Sequence, residues 1–380
     1  MTIPVAETAR EVREALADAC RGLVERETLV DLVTLSAVAG EHLLVIGPPG
    51  TAKSEAVRRA ARATDGRIFE YLLGRFTEPS EIFGPVDLRR LREGFVETET
   101  HGMLPEAEFA FLDEVFQGST AILNTLLGIL NERTFRRGHT SMACPLRVCV
   151  GASNALPEED GLAAFADRFL VRAFLDPVPG PRLEDLLEGG WALGRESSTR
   201  KASTAHLDRL SAVAREADLA QVRPFIAHAI RSLRSAGIAL SDRRAVRVQG
   251  LVAAAAALAG RTSPGEADLW PIVFAVPTPD GQALARDVLR SQLARAENGT
   301  LPAATEEASA GPLARAGRLE RSGNEILEAR PADGGNGALE RWTARLESVA
   351  REIDAGFTEA TRPAGLTALR ARIVEVLGPR

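Results

Sequence analysis

Residues 47–54 combine the residue types that bind phosphate, and an apolar strand, Leu43 to Ile46, leads into them. The loop residues are Gly47, Pro48, Pro49, Gly50, Thr51, Ala52, Lys53 and Ser54. A strand, a Gly/Pro-rich turn and a following helix direct backbone N–H groups and a helix N-terminus at bound phosphate. Lys53 can then reach the β- and γ-phosphates, and the Ser54 hydroxyl can bind Mg²⁺. The segment therefore predicts a nucleotide-binding loop.

One residue departs from the usual pattern of such loops. Ala52 stands where a second glycine is expected, directly before Lys53. Alanine has the smallest side chain after glycine, so we expect the loop to close around phosphate all the same.

A pair of acids ends the next chemically informative strand, sixty residues after Lys53. The apolar run from Phe109 to Leu112 is followed by Asp113 and Glu114. In a nucleotide site, Asp113 would hold Mg²⁺ through its water shell and Glu114 would polarise the attacking water. The alternative is a strand that ends in an exposed acidic turn. The spacing from the loop favours the nucleotide site.

Three further polar groups follow. Asn154 closes another apolar strand, where its amide could orient water near the γ-phosphate, although Ser-Asn after a strand is also ordinary turn chemistry. Arg168 stands just before the last predicted strand, and Arg172 follows a turn later. Arg243 and Arg244 begin a later helix for which Ser241 is the expected N-cap. Each arginine taken alone would be interpreted as surface charge.

Short apolar strands alternate with helices in the first half of the chain, which is typical of a parallel α/β sheet. The predicted strands are 43–46, 67–72, 108–112, 146–152 and 169–175. Residues 84–105 and 131–145 do not fit βα units, and we predict that they are hairpins inserted into the sheet domain. Helices are expected at 7–26 and 28–39, ahead of the first strand.

After residue 180 the sequence predicts helices and linkers but no further strands. We expect a sheet domain over 1–180, a small all-α domain over 181–295, and a segment rich in linkers over 296–337 with a helix at about 312–330. A helical tail at 338–380 completes the predicted organisation.

Composition excludes several classes of protein. The formal net charge of −6 gives no general attraction to nucleic acid or acidic membranes. No apolar run reaches the ~20 residues that cross a bilayer, and the N-terminus lacks the apolar core of a signal peptide, so we expect a cytoplasmic protein. The three cysteines, Cys20, Cys144 and Cys149, form no zinc-binding pattern. Cys149 is expected to be buried in a strand.

Together and in this order, the five elements resemble the motifs of the AAA+ ATPases: Walker A, Walker B, sensor 1, arginine finger and sensor 2. The chain more closely resembles the MoxR family, and within it the RavA-like branch. This closer resemblance rests on residues 69–72, 75–77, 83–85, 102–108, 121–127, 131–133, 152–154 and 167–169. It is dense over about 10–180, looser over 181–295 and absent from the tail. The Ala-Lys-Ser ending of the loop is usual in this family.

The resemblance implies a fold and roles for particular residues. The fold would be an AAA+ P-loop αβα parallel sheet domain with inserted hairpins, followed by a small all-α lid domain and a helical C-terminal tail. Residues 47–54 would bind the phosphates of ATP, Ser54 and Asp113 would hold Mg²⁺, and Glu114 would be the general base. Asn154 would be sensor 1.

The resemblance also assigns the arginines. Arg168 would be the finger inserted into the neighbouring subunit's site, and Arg243 would be sensor 2, joining the small domain to the γ-phosphate. Arg172 and Arg244 remain alternatives to them. Sites completed between subunits imply a ring of identical chains, a hexamer, in which residues 176–181 act as the hinge that turns hydrolysis into motion.

The implied activity is ATP-driven remodelling or maturation of a partner protein, and family members commonly serve partners with a von Willebrand factor A (vWA) domain. Two alternatives stay open: a nucleic-acid motor, which the acidic charge disfavours, and a nucleotide-gated scaffold with little turnover.

The predicted hairpins carry several arginines: Arg89, Arg90, Arg92, Arg133, Arg136 and Arg137. They form either a basic contact surface or ordinary solvated charge.

Overall fold

The strands confirm the predicted parallel sheet. The computed structural model describes residues 4–192, 202–310, 312–331, 338–358 and 362–377. Within them the strands are β1 (Leu43–Ile46), β2 (Ile68–Leu72), β3 (Phe109–Asp113), β4 (Thr134–Arg137), β5 (Thr140–Ala143), β6 (Val148–Ser153) and β7 (Val171–Phe174). Five of them form one sheet in the order β2-β3-β6-β1-β7. Each neighbouring pair is parallel, so all the carboxyl ends lie at one edge. We call this edge the carboxyl edge and the opposite one the amino edge.

Helices cover both faces of this sheet, and helices with their connecting loops form the rest of the described chain. Before and between the strands they are α1 (Val5–Ala19), α2 (Glu27–Ala39), α3 (Lys53–Ala63), α4 (Pro79–Phe83), α5 (Leu88–Arg92), α6 (Thr120–Glu132) and α7 (Asp160–Ala166). After β7 they are α8 (Leu183–Ala192), α9 (Thr204–Glu216), α10 (Arg223–Ser235), α11 (Asp242–Leu258), α12 (Pro271–Phe274), α13 (Pro279–Val288), α14 (Arg290–Leu293), α15 (Pro302–Ala310), α16 (Pro312–Glu328), α17 (Ala338–Gly356) and α18 (Ala364–Leu377). None of the helices in the described ranges is both long and apolar enough to cross a lipid bilayer.

Two segments project from the sheet domain where hairpins were predicted. Residues 131–145 contain the antiparallel hairpin β4–β5, anchored by Phe135, which stacks on Phe83 in the core. Residues 84–105 form a loop closed by an antiparallel pair between Val86 and Thr98, with the short helix α5 at its tip. The backbone of Val96 hydrogen-bonds His139 of the hairpin, so the two insertions support each other.

The helices that follow β7 share a hydrophobic core with the sheet domain. One continuous hydrophobic core contains residues of α1, α2 and β1 together with residues of α9, α11 and α12. Residues 253–257 of α11 are five consecutive alanines, and all five are buried. Small side chains allow helices to approach closely, which explains how an alanine-rich helix packs against α2 and α9. A second core on the other sheet face contains α6 and the hairpin.

The prediction of a linker at 296–311 is wrong over residues 302–310. Residues 302–310 form helix α15, which packs on α2, and Leu301, Ala304 and Ala308 are fully buried. The misleading signal was composition, because alanine and serine are common both in flexible segments and in tightly packed helices. Helix α16 lies where a helix was expected, whereas most of the second predicted linker, 331–337, lies outside the described residues.

Asp31 of α2 holds the N-terminus of α15. Its carboxylate accepts a hydrogen bond from the backbone N–H of Ala304, 3.0 Å away, and burial raises the pKa of Asp31 to about 8. The folded protein therefore binds a proton at Asp31 that the unfolded chain releases near pH 4. The stabilising effect of this proton is complete below about pH 4 and is lost as the pH rises through about 8.

We expect Asp31→Asn to remove this pH dependence, since asparagine keeps the acceptor oxygen and does not ionise. Between pH 5 and pH 9 the denaturation midpoint of the wild type should fall more than that of Asp31→Asn. Urea titrations at both pH values measure the difference. Asp65→Asn, which changes an exposed aspartate, is the control. Parallel curves for the wild type and Asp31→Asn would contradict the role of Asp31.

The tail forms a helical unit with its own hydrophobic core. Helices α16, α17 and α18 form this third hydrophobic cluster, which includes Leu319, Trp342, Leu346, Ile353 and Leu369. Ion pairs between Arg345 of α17 and the acids Glu184 and Asp185 of α8 connect it to the segment that follows the sheet domain.

Candidate nucleotide site

The predicted phosphate loop lies at the carboxyl edge, between β1 and α3. Its own contacts close it: the hydroxyl of Thr51 donates to the carbonyl of Pro48 at 2.9 Å. The Lys53 ammonium donates to the carbonyls of Gly47 and Pro48 at 2.7 and 3.2 Å. Gly47 has no room for a side chain, because a Cβ there would lie 2.7 Å from the carbonyl oxygen of Leu175. The loop is thus a tight cradle with the lysine folded across it.

Ala52 adopts the conformation that glycine adopts freely. Its φ of 56° and ψ of 29° are left-handed, and it is the residue directly before α3. This conformation costs an alanine on the order of 1 kcal/mol. The loop therefore closes as expected, but with backbone strain at the position where the usual pattern has glycine.

The acidic pair and Asn154 meet beside this loop. Asp113 is the last residue of β3, and Asn154 directly follows the adjacent strand β6. The Asn154 amide donates to the Glu114 carboxylate at 2.8 Å. Glu114 also has a left-handed backbone, with φ of 48°, and such strain is concentrated at functional sites. The strand ends thus bring two carboxylates and one amide together beside the predicted phosphate loop.

Charge is concentrated at this edge. Lys53 is buried, and burial lowers its pKa, whereas the nearby carboxylates of Asp113 and Glu114 raise it. No group of three or more His, Cys, Asp or Glu in the described ranges could hold a metal by itself. This donor set fits Mg²⁺ that arrives with a nucleotide, since Mg²⁺ is usually bound by one or two protein oxygens plus phosphate oxygens and water. Ser54 and Asp113 are the protein oxygens that would hold it.

Of the two candidate finger arginines, Arg172 is built into the core. Its side chain is 3% exposed and donates to the carbonyls of Ala166 and Phe169. Burial, together with charge repulsion from Arg244, lowers the pKa of Arg172 to about 9. Arg168 is more exposed, and its buried Nε has no hydrogen-bond partner. Only Arg168 of the two is therefore able to reach outward.

The second arginine pair divides in the same way. Arg244 is buried, ion-paired with Asp167 at 2.7 Å, and donates to the carbonyls of Phe169, Leu170 and Ala275. It attaches α11 to the sheet domain. Arg243 is partly exposed and donates a hydrogen bond to the side chain of Asn131 at 2.6 Å.

Arg168 and Arg243 lie away from the phosphate loop of their own chain. Arg168 precedes β7, at the amino edge. Asn131, the partner of Arg243, ends α6, and Arg133 beside it contacts Gly40 and His42 ahead of β1. We expected Arg243 to reach the γ-phosphate; within one chain it does not. The reason is the packing of α11. Arg244 and Arg247, in the first turns of this helix, contact residues at the amino edge and hold the helix there.

The structure adds a residue that sequence reasoning missed. Arg26, at the start of α2, is 4% exposed and donates to the carbonyl of Thr51 at 2.7 Å and to that of Asp176 at 2.8 Å. Nothing in the sequence marked it, because it stands 21 residues before the loop and belongs to no phosphate-binding pattern. A cavity of about 300 Å³ lies beside it, with Glu27, Phe174, Pro177 and Glu307 among its lining residues.

Comparison with known proteins agrees with this geometry. The family model described as "MoxR domain in the MoxR-vWA-beta-propeller ternary systems" matches residues 10–214, more than half of the chain. The crystal structure of a "putative ATPase" from Cytophaga hutchinsonii superposes with a TM-score of 0.61 and 16% identity, over 77% of this chain and 96% of that one. At this identity it shows the fold alone.

Relatives with related sequences are also known. Uncharacterized protein MJ0812 of Methanocaldococcus jannaschii is 37% identical over 65% of this chain and 66% of its own length. Chaperone MoxR1 of Mycobacterium tuberculosis is 26% identical over 53% of this chain and 54% of its own. The chain thus spans less than two thirds of each of these relatives. The family match, the fold and the three strand-end groups beside the phosphate loop agree: the chain belongs to the MoxR family of AAA+ ATPases.

Proposed function

We propose that this protein binds ATP with Mg²⁺ and hydrolyses it. The observation that carries the proposal is the hydrogen bond between Glu114 and Asn154 beside the phosphate loop. It holds a carboxylate at the end of β3, where a general base would accept a proton from the attacking water. Lys53 and the loop N–H groups would bind the phosphates, and Mg²⁺ would neutralise charge that develops on them.

The nearby residues would have distinct tasks in this reaction. Glu114 would orient the attacking water and take its proton, and Asn154 would hold Glu114 in place and orient the same water. Asp113 and Ser54 would keep the Mg²⁺ on the phosphate side of the loop. The rate of phosphate release from ATP with and without Mg²⁺ tests the proposal. Lys53→Ala is the control, and a rate no higher than that of this control would refute it.

The positions of the two outward arginines support a ring. Arg168 and Arg243 both lie at the amino edge, away from the loop of their own chain. Each would therefore act on the nucleotide of a neighbouring subunit, which a closed ring of identical subunits, a hexamer, allows. Arg168 would be the arginine finger. In known cases a finger supplied by a neighbouring subunit raises the rate of hydrolysis about 10³–10⁵-fold. Mass measurement with and without ATP would count the subunits.

We further propose that the energy of hydrolysis remodels or matures a partner protein with a vWA domain. The matching family model is named for systems that contain such a domain, and one relative is named a chaperone. The proposal includes the RavA-like branch, which rests on the sequence motifs alone. Capture from native lysate with Glu114→Gln held in ATP tests the partner. A vWA protein enriched on this variant but not on Lys53→Ala is the expected result.

The insertions favour a protein client over nucleic acid. Arg90 is paired with Glu93 and Glu97, and Arg133 is turned inward onto backbone carbonyls. The tip around α5 instead exposes apolar side chains, with Leu88 at 69% and Leu91 at 46%. Apolar exposure is typical of protein contacts. Stimulation of ATP hydrolysis by DNA at physiological salt would instead support a nucleic-acid motor.

A further inference from the structure

Arg26 connects the phosphate loop to the end of strand β7 through one buried guanidinium. Its Nε donates to the Thr51 carbonyl at 2.7 Å, one Nη to Asp176 at 2.8 Å, and the other to Glu25. All three acceptors are backbone oxygens, so the planar guanidinium fixes backbone positions. Asp176 begins the segment 176–181 that leads to the small helical domain.

The contact with Thr51 determines where a neighbouring N–H group points. In a trans peptide the C=O and N–H bonds point in opposite directions. Because the Thr51 carbonyl points to Arg26, the N–H of Ala52 points away from Arg26. This N–H belongs to the loop that directs donors at phosphate, and it stands directly before Lys53, which starts α3.

The strained residue, Ala52, directly follows this peptide bond. A left-handed alanine is disfavoured, and in the absence of a ligand the loop would relax if nothing held it. A hydrogen bond from a charged donor is stronger than one between neutral groups, so the bond from Arg26 can offset the strain of a single left-handed alanine. Arg26 makes this bond while it is almost completely buried, and its contact to Asp176 keeps it oriented.

We propose that Arg26 is a positioning residue for nucleotide binding, which holds the Thr51–Ala52 peptide in the phosphate-binding conformation and compensates for the absence of glycine at position 52. The inference rests on the proposed function, because it assigns Arg26 a task in the same nucleotide site. It predicts two effects. Replacement of Arg26 weakens nucleotide binding, and glycine at position 52 makes this loss of affinity smaller.

The test measures the Kd of the fluorescent nucleotide mant-ADP for four forms of the full chain: wild type, Arg26→Met, Ala52→Gly and the double variant. We expect Arg26→Met to raise the Kd about tenfold, equivalent to about 1.4 kcal/mol. In the Ala52→Gly background the same change should raise it less than threefold. In ATP hydrolysis, Arg26→Met should raise KM more than it lowers kcat, since bound phosphate itself helps to hold the loop.

Arg133→Met is the matched control. Arg133 is also a largely buried arginine that donates to backbone carbonyls, of Gly40, Leu130 and Arg147, but at the amino edge. The Arg133→Met substitution should lower the melting temperature of the protein and leave its Kd for mant-ADP within twofold of the wild type. If Arg26→Met does not fold, Arg26→Lys replaces it, since lysine keeps the charge without the planar fork.

Two results would overturn the inference: a Kd for Arg26→Met within twofold of the wild type, or an equal loss with alanine and with glycine at position 52. Either leaves the proposed function intact provided that the wild type binds mant-ADP and Lys53→Ala does not. A wild type that binds no nucleotide would instead refute the proposed function.

Discussion

Glu114→Gln should bind ATP and assemble while its turnover falls by about 10²–10⁴, the range that a general base contributes. Glutamine retains the size of the side chain and can still accept the hydrogen bond from Asn154, so the site keeps its shape. It cannot take the proton of the attacking water at neutral pH. Steady-state phosphate release measures the loss, and equilibrium binding of mant-ATP shows that affinity is retained.

Glu108→Gln provides the matched comparison for this variant. Glu108 directly precedes β3, so it lies at the amino edge, one strand length from Glu114. It pairs with Arg67 and Arg147 at that edge, and its side chain is 14% exposed, so its loss affects stability and not the chemistry of the nucleotide site. Turnover should stay near that of the wild type. A Glu114→Gln protein that hydrolyses ATP normally would remove Glu114 from the role of general base.

Arg168→Ala should lose about 10³–10⁵ in turnover with ATP affinity nearly unchanged, as expected for a finger that acts from a neighbouring subunit. The structure supports the separation of the two effects, since Arg168 lies at the amino edge and the loop at the carboxyl edge. Arg136→Ala, which removes an exposed arginine from the hairpin, should hydrolyse ATP at the wild-type rate. Phosphate release and mant-ATP binding measure the two quantities.

Mixing Arg168→Ala with Lys53→Ala distinguishes action between subunits from action within one. A mixed ring contains sites with an intact loop next to an intact arginine, so part of the lost rate should return. Native mass spectrometry of the mixture establishes that the subunits exchange. Mixed rings without recovered activity would exclude Arg168 as a finger in trans.

The sheet and the centre of the site could be predicted from the sequence because both depend on short-range patterns. The strand limits agree with the prediction to within two residues, since apolar runs bounded by polar residues mark them directly. Asp113, Glu114 and Asn154 come together because each lies at the carboxyl end of a parallel strand. Their proximity then follows from the topology of the sheet alone.

Long-range packing could not be predicted in this way. Arg26 contacts Thr51 and Asp176, which lie 25 and 150 residues away, through backbone atoms that no sequence pattern reports. Arg243 and Arg244 are adjacent and chemically identical, and only the position of α11 decides which one is buried. Helix α15 was mistaken for a linker because its alanines owe their burial to a partner helix.

The core shared by α1, α2, α9 and α11 has a consequence for how the protein unfolds and how it can be divided. A truncation after residue 180 would expose the apolar face of α2 to water, so the sheet domain should aggregate when it is made without the helices that follow. Calorimetry should show one cooperative transition for 4–310, whereas the third cluster allows α16–α18 to melt separately. Dissection of this protein is therefore best attempted near residue 311, after the helix that closes the shared core.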